Sequence, residues 1–232
     1  MKRIVFSPHI DDAFLSLGGS ILNWRKSGEK VLIVNIFSIS NFSKGEAGDK
    51  EKVTEIRKEE EMEVKKETGV ESLFLDFPEA LLRGYKMRKE DPFYPDSFDE
   101  SIDGETVKLV GKEVSKYFED SAMHYFPLAI GEHVDHVLVK KIGEKVLKEG
   151  KLKYLSFYEE IPYVGWFGVP EEPIKELDLK PRTQPVDVEK KVEIAKKYSS
   201  QIEEEWVRCL VKHANSISRE GGYERVWIKE GK

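Results

Sequence analysis

Residues 2–28 read KRIVFSPHIDDAFLSLGGSILNWRKSG, and the change of rhythm inside this stretch decides the fold. Lys2–Ser7 is a short apolar run with β-branched and aromatic residues, the pattern of a buried strand. From Asp12 to Lys26 the apolar residues recur at helical spacing, and Ser27-Gly28 supplies the stop. A second strand-like run, Val31–Phe37, follows at once. Two strands joined by a helix pair in parallel, because the crossover between parallel strands needs a dozen or more residues.

The alternation continues along the chain. Lys52–Thr68 reads as a strongly charged helix ending at Gly69, Ser72–Phe77 as a strand, Gly104–Phe118 as a helix and Ala122–Pro127 as a strand. His133–Lys148 reads as a helix, Leu155–Tyr158 as a strand, Val188–Ser199 and Glu203–Ala214 as helices, and Glu224–Ile228 as a last short strand. Residues 39–50 form a polar loop. Residues 78–103 show no clear period, and residues 161–185, with five prolines, form a second irregular stretch. The expected fold class is α/β: a single domain over residues 1–232, Rossmann-like, with a mostly parallel sheet and helices on both faces.

Composition narrows the function classes. The chain has 232 residues, 39% hydrophobic and 35% charged, enough for one well-buried core. A net charge of -6 with both signs interspersed argues against nucleic acid as a partner. One cysteine, Cys209, excludes an intrachain disulfide and any multi-cysteine zinc site. The N-terminus runs directly into a strand without a secretory pattern. No apolar run approaches the ~20 residues that span a bilayer. No membrane partner is expected, and the cytoplasm is the expected location.

Open parallel sheets bind ligands beyond the carboxyl ends of their strands, at the switch point where the first strand lies beside the fourth. After strand one comes Ser7-Pro8-His9-Ile10-Asp11-Asp12, and after strand four comes Gly131-Glu132-His133-Val134-Asp135-His136. Three of the five histidines and the carboxylates Asp11, Asp12 and Asp135 therefore fall at the two places that the fold rule selects. A catalytic zinc keeps three protein ligands and an open position, and accepts imidazole nitrogen and carboxylate oxygen. A His/Asp/His triad follows, leaving Asp11 and His133 to serve as base and as partner of a developing oxyanion. Each residue alone also has a structural explanation: Asp12 as a helix cap, Asp11 as its solvated neighbour, His133 as a helix start, His136 as a buried helix residue. Gly18-Gly19 inside the first helix is either a break or a site of close packing.

Read as blocks, PHIDDAFLSLGG and GEHVDHV resemble the His-x-Asp-Asp and His-x-Asp-His motifs of the PIG-L/LmbE-like family of zinc-dependent de-N-acetylases. RKEEEMEVKKETG, LDFPEALLRG, YFPLAIGEHVDH, FYEEIPY, KKYSSQ and ERVW look like further family blocks, so the resemblance covers nearly the whole chain. It implies Zn2+ as cofactor, held by His9, Asp12 and His136, with Asp11 as base and His133 polarising the carbonyl. It also implies that Asp135 orients His133. The family commonly has Glu directly after the Asp-Asp pair, and this chain has Ala13; the change touches the tuning of the site and the choice of substrate.

The implied reaction is hydrolysis of an N-acetyl amide on an amino sugar or a related small molecule. Alternatives are a zinc hydrolase of another amide or ester, a non-catalytic metal-binding protein, and a nucleotide-binding protein; the last is disfavoured because no G-x-G-x-x-G follows strand one. Glu79, Arg83 and Tyr163 are candidate substrate contacts. Arg57 and Glu60 read as a solvated helix face, His124 as a packed histidine, His213 as exposed and Cys209 as a small core residue. Tyr85, Phe93, Tyr94 and Phe98 in the first irregular stretch, and Tyr163, Trp166 and Phe167 in the second, either build a sugar pocket or pack the loops and a homo-oligomer contact.

Overall fold

Why the first strand is buried on both faces becomes plain in the computed structural model, which describes residues 1–44, 46–88, 91–95 and 97–229, with backbone alone at 46, 87, 88 and 91–95. In chain order the elements are β1 (Lys2–Ser7), α1 (Asp12–Lys26), β2 (Lys30–Asn35), β3 (Phe42–Ser43), β4 (Glu46–Ala47), α2 (Lys50–Thr68) and β5 (Glu71–Phe74). Next come β6 (Met87–Arg88), β7 (Asp91–Pro95), α3 (Glu100–Ser115), β8 (Ala122–Pro127), α4 (Val134–Lys148), β9 (Leu155–Tyr158), α5 (Tyr163–Phe167) and α6 (Glu171–Glu176). β10 (Leu179–Pro185), α7 (Val188–Ala195), α8 (Glu204–Ser216) and β11 (Tyr223–Lys229) complete the chain.

Seven strands form one sheet in the order β10-β11-β9-β8-β1-β2-β5. β1 is parallel to β2 and to β8, with Lys2 opposite both Lys30 and Ala122. The fourth predicted strand, β8, thus lies beside the first, as the switch-point rule requires. β2–β5 and β8–β9 are also parallel, while β11 runs antiparallel to β9 and to β10. The sheet is therefore mostly parallel, as expected from sequence.

β1 divides the core. Ile4 and Phe6 pack into the cluster that holds Val110 and Val114 of α3 and Leu138 and Ile142 of α4. Val5 points the other way, into Phe14, Leu17, Ile21 and Trp24 of α1 and Ile194 of α7. A strand covered on both faces has no reason to alternate apolar with polar residues, and β1 does not.

The irregular stretches hold more structure than their sequence suggests. The 78–103 stretch contains a 3-10 turn at Ala80–Arg83, the ribbon β6–β7 and the start of α3, which begins at Glu100 because Asp99 caps the Ser101 N–H. The proline-rich 161–185 stretch contains α5, α6 and β10. Pro181 and Pro185 are tolerated in β10 because it is an edge strand, paired on one side only. Among the described residues no helix is long and apolar enough to cross a membrane.

Gly18 and Gly19 do not break α1. A Cβ on Gly19 would lie 2.4 Å from the Val186 Cβ, so the glycine permits close approach of the segment leading into α7. Gly19→Ala should lower stability by about 1–3 kcal/mol through overpacking. Gly104→Ala, in α3 with only Glu100 Cγ at 3.5 Å, should raise it by about 0.5–1 kcal/mol. Urea midpoints of the two variants check this; equal shifts would refute the close contact.

Candidate active site

The loop after β1 is tied to itself before it meets anything else. Ser7 Oγ donates to the His9 carbonyl at 2.6 Å and accepts from the Ala13 N–H at 3.0 Å. Asp12 Oδ2 accepts from the His9 N–H at 2.8 Å. Asp11 precedes α1 but its side chain makes no capping bond, so capping does not explain this carboxylate. After β8 the chain passes through Ala129 (φ 57°), Gly131 (φ 79°) and Glu132 (φ 60°) before α4 begins. This left-handed turn swings His133 into the N-cap position, where its Nδ1 accepts from the Asp135 N–H at 3.2 Å.

The two loops converge. Nitrogen atoms of His9, His133 and His136 lie within 4.8 Å of one another. Asp12 Oδ2 sits 3.3 Å from His9 Nδ1 and 3.1 Å from His136 Nε2. His136 Nε2 is nonetheless buried without a hydrogen bond. A lone pair and a carboxylate oxygen that approach without bonding share a target, which is the signature of a cation site. The opposite ring nitrogens are already occupied: His9 Nε2 meets Asp135 Oδ2 at 2.9 Å, and His136 Nδ1 meets Glu160 Oε1 at 3.1 Å. Carboxylate-backed imidazoles of this kind commonly serve zinc. These residues fit a zinc ion. His133 is close enough to be a ligand, but its Nδ1 already accepts a hydrogen bond from the Asp135 N–H, so in the neutral ring Nε2 carries the hydrogen and can donate into the cleft.

The electrostatics point the same way. Asp11, Asp12, Glu79, Asp135 and Glu160 are all buried, opposed by the buried guanidinium groups of Arg57 and Arg83. Burial opposes charge on His9 and His136, but their carboxylate neighbours outweigh it: His9 is held well above the ordinary imidazole range and His136 rises to about 9. Burial would raise Asp12, yet His136 and His9 hold it well below the usual carboxylate range. His133 moves the other way, driven well down by burial and by the charge on His9. Burial, with Asp12 alongside and Arg57 opposing, brings Asp11 to about 6. Burial and neighbouring charge thus drive these groups apart, His9 and His136 upward, His133 downward and Asp11 upward.

A cleft opens above these groups. Asp11, His133, Tyr163, Trp166, Phe42 and Trp206 are among the residues lining it. Tyr163 stacks edge-on against His136, ring centroids 5.2 Å apart. Glu79 lines the cleft too, though its carboxylate is engaged by Arg57 at 2.5 Å and by Ser40 Oγ at 2.6 Å. Tyr85 is buried and Phe98 packs with Lys141, so the described aromatics of the first irregular stretch hold the loop down. The side chains of Phe93 and Tyr94 lie outside the described ones. Phe167 is exposed, away from the cleft.

The structure places the other residues singled out from sequence as follows. Arg83 does not face the cleft: its guanidinium bonds both oxygens of Asp103, reaches the Pro78 carbonyl, and lies 2.7 Å from Asp135 Oδ1. The Asp135 carboxylate holds His9 and the Ala80 N–H, and only its main-chain N–H reaches His133. Arg57 and Glu60 are buried, not solvated. Arg57 reaches Asp11 Oδ1 at 3.4 Å, and Glu60 gathers the hydroxyls of Ser199 and Ser200 and the Ser200 N–H. The signal was present in the sequence, since Val53, Arg57, Glu60, Glu61 and Val64 share one helical face. His213 pairs with Glu159 at 2.8 Å rather than facing solvent, and Cys209 is only partly buried. His124 is fully buried, its ring bonded to the Tyr154 carbonyl and the Glu119 N–H. Phe42, Lys44 and Trp206 drew no individual notice in the sequence, and Glu160 was read only as part of the block FYEEIPY, although its place just after a strand end on the same rim was a signal.

Comparison with known proteins places this geometry. Residues 4–147 match the PIG-L family, described as GlcNAc-PI de-N-acetylase. The chain is 28% identical over 223 residues to 2'-N-acetylparomamine deacetylase of Streptomyces fradiae, covering 92% of this chain and 78% of that protein. Its fold is similar to a deacetylase of teicoplanin biosynthesis, with a TM-score of 0.76 at 20% identity over 98% of this chain and 97% of that one. It is also similar in fold to 4-carboxy-2-hydroxymuconate hydratase of Pseudomonas putida, with a TM-score of 0.59 at 16% identity over 100% and 98% of the two chains.

The buried row of α2 gives a pH test away from the metal ligands. Glu61 accepts from Ser72, Asn35 and Tyr198, yet burial outweighs these bonds and lifts it to about 7. A carboxyl raised in the folded state contributes stability below its unfolded pKa and loses it as pH rises through the folded value. Between pH 5 and pH 8 the wild type should therefore lose about 1–3 kcal/mol on account of Glu61, and Glu61→Gln should not. Urea unfolding of both proteins at the two pH values measures the difference; a pH-independent gap would overturn the assignment.

Proposed function

We propose, on the premise that this chain belongs to the GlcNAc-PI de-N-acetylase (PIG-L) family, that it is a zinc-dependent hydrolase removing acetyl from an N-acetylated amino sugar or a related small molecule. The observation that carries the reading is the buried, hydrogen-bond-free approach of His136 Nε2 to Asp12 Oδ2, with His9 Nδ1 beside it. We assign His9, Asp12 and His136 as the zinc ligands, in a single domain spanning residues 1–232. A zinc ion there would supply Lewis acidity, which activates water near neutral pH and polarises a carbonyl.

The remaining chemistry belongs to the chain. Asp11 takes the proton from the attacking water and returns it to the departing amine. Arg57 holds that carboxylate in place and tempers its burial. His133, kept neutral, donates its Nε2–H to the oxyanion forming on the acetyl carbon. Asp135 serves by orienting the metal-side histidine His9. Tyr163, Trp166 and Trp206 offer flat apolar walls for a sugar ring, and Glu79 bounds the polar end. The relative from Streptomyces fradiae is a deacetylase of an N-acetylated aminoglycoside by its name, which supports the amino-sugar reading. The hydratase on the same fold makes direct measurement of acetate the decisive assay.

Zinc should be near stoichiometric in protein purified without chelators, and His136→Ala should lose it. Asp11→Asn should keep zinc and lose ~100- to 10,000-fold in rate. His133→Ala should keep zinc and lower kcat and kcat/KM together by ~100- to 1,000-fold; a raised KM at normal kcat would make His133 a binding residue. Trp166→Ala should alter preference among N-acetyl sugars and leave zinc untouched. Absence of acetate release across that panel, with cleavage of simple amides or esters instead, would sink the sugar assignment.

A further inference from the structure

Glu160 is fully buried two residues past the end of β9, and nothing in the proposed reaction uses it. Its Oε1 lies 3.1 Å from His136 Nδ1 and accepts from the Ala129 N–H at 2.6 Å. Its Oε2 accepts from the N–H groups of Leu128 at 3.2 Å and Ile130 at 3.5 Å. These three consecutive amides point inward because Ala129 is left-handed at φ 57°, ψ 46°. Successive main-chain N–H groups turned to one side form a nest for an anion, and here the anion is a side chain of the protein.

With both oxygens already accepting from main-chain amides, the carboxylate is an acceptor toward His136 as well. The imidazole hydrogen then sits on Nδ1, and the Nε2 lone pair is left facing Asp12. We propose that Glu160 is the positioning residue of the metal site: it fixes the tautomer and ring orientation of His136, and by the same carboxylate it holds the turn that delivers His133. The proposal rests on the zinc reading above. It adds that one side chain at the end of β9 sets both a ligand and the neutral donor.

The neighbouring Glu159 is a built-in control. It too is a buried glutamate, but its carboxylate is taken by Arg225, His213 and Trp227 and contacts neither His9 nor His136. Zinc affinity is read by competition with a chromophoric chelator, using Zn2+ alone and no substrate. Glu160→Gln should raise the zinc Kd ~10- to 100-fold, while Glu159→Gln leaves it unchanged even where it lowers Tm. Long-range 1H–15N spectra of the zinc-loaded wild type should show His136 protonated at Nδ1. Wild-type zinc affinity in Glu160→Gln, an equal loss in Glu159→Gln, or an Nε2–H tautomer in the wild type would each overturn the assignment. Should Glu160→Gln fail to fold, Glu160→Asp is read by the same titration, and the wild-type spectrum stands independently of either. His136→Ala separates the two readings: if it keeps zinc, the site reading has failed, whereas loss of zinc there with normal affinity in Glu160→Gln refutes only the role of Glu160.

Discussion

Carboxylates outnumber cations in the buried layer beyond β1 and β8, and most of the structure around them is arranged to hold that imbalance. An unpaired buried charge is among the most destabilising features a fold can carry. Arg57 answers Asp11 and Glu79, and Arg83 answers Asp103 and Asp135. What is left, Asp12 and Glu160, is answered by His136, and the rest of Asp135 by His9. In the protein alone these imidazoles must take up protons to do so, which is why both are displaced toward their charged forms. A divalent cation between them meets the same demand without a proton on either metal-facing nitrogen. On the zinc reading, the excess of buried negative charge and the cation answer each other.

The fold makes this tolerable by supplying main-chain donors. The β1 loop offers the His9 N–H to Asp12, the 3-10 turn at Ala80 offers its N–H to Asp135, and the left-handed turn after β8 offers three to Glu160. Each comes from backbone beyond a strand's carboxyl end, where parallel sheets leave amides unpaired. α2 plays the complementary part. Its buried stripe is mainly ionic, and it braces the site through Arg57 and the 199–201 turn through Glu60. A helix so polar has little intrinsic reason to dock, so its attachment depends on these pairs and on Val53 and Val64.

Legibility from sequence followed the physics. The strand-to-helix change at Asp12 was readable because period and burial change together there, and α1 runs from Asp12 to Lys26 as expected. The two histidine motifs were readable because the strand order forces β1 and β8 together. Arg57 and Glu60 were misread since α2 carries charge all round, which hides the inward face unless the valines are used as its marker. The pairing of Arg83 was not legible because its partner Asp103 sits twenty residues on in another element, a pairing no local pattern encodes. β10 was hidden by prolines that only an edge strand accepts. The partner of Asp135 depended on a ring orientation, and sequence holds no record of which of two neighbouring histidines a carboxylate will meet.

The distribution of parts along the chain says where relatives should diverge. His9, Asp11, Asp12, Arg57, His133 and His136 all fall within the family-matched residues 4–147. Of the residues that wall the cleft, Phe42 and Leu81 also lie within that stretch, while Tyr163, Trp166, Gln201 and Trp206 lie beyond it. So does Glu160, which reaches back to His136 from the end of β9. The histidine cluster and the walls beyond residue 147 meet at one short segment, Glu160 to Tyr163, where a residue braced against His136 is followed within three positions by one that stacks on the same imidazole. Substitutions beyond Tyr163 can reshape the cleft while leaving the histidines as they are, whereas a change in that segment moves both. A family that keeps one reaction and varies its substrate is expected to change the walls and keep the joint.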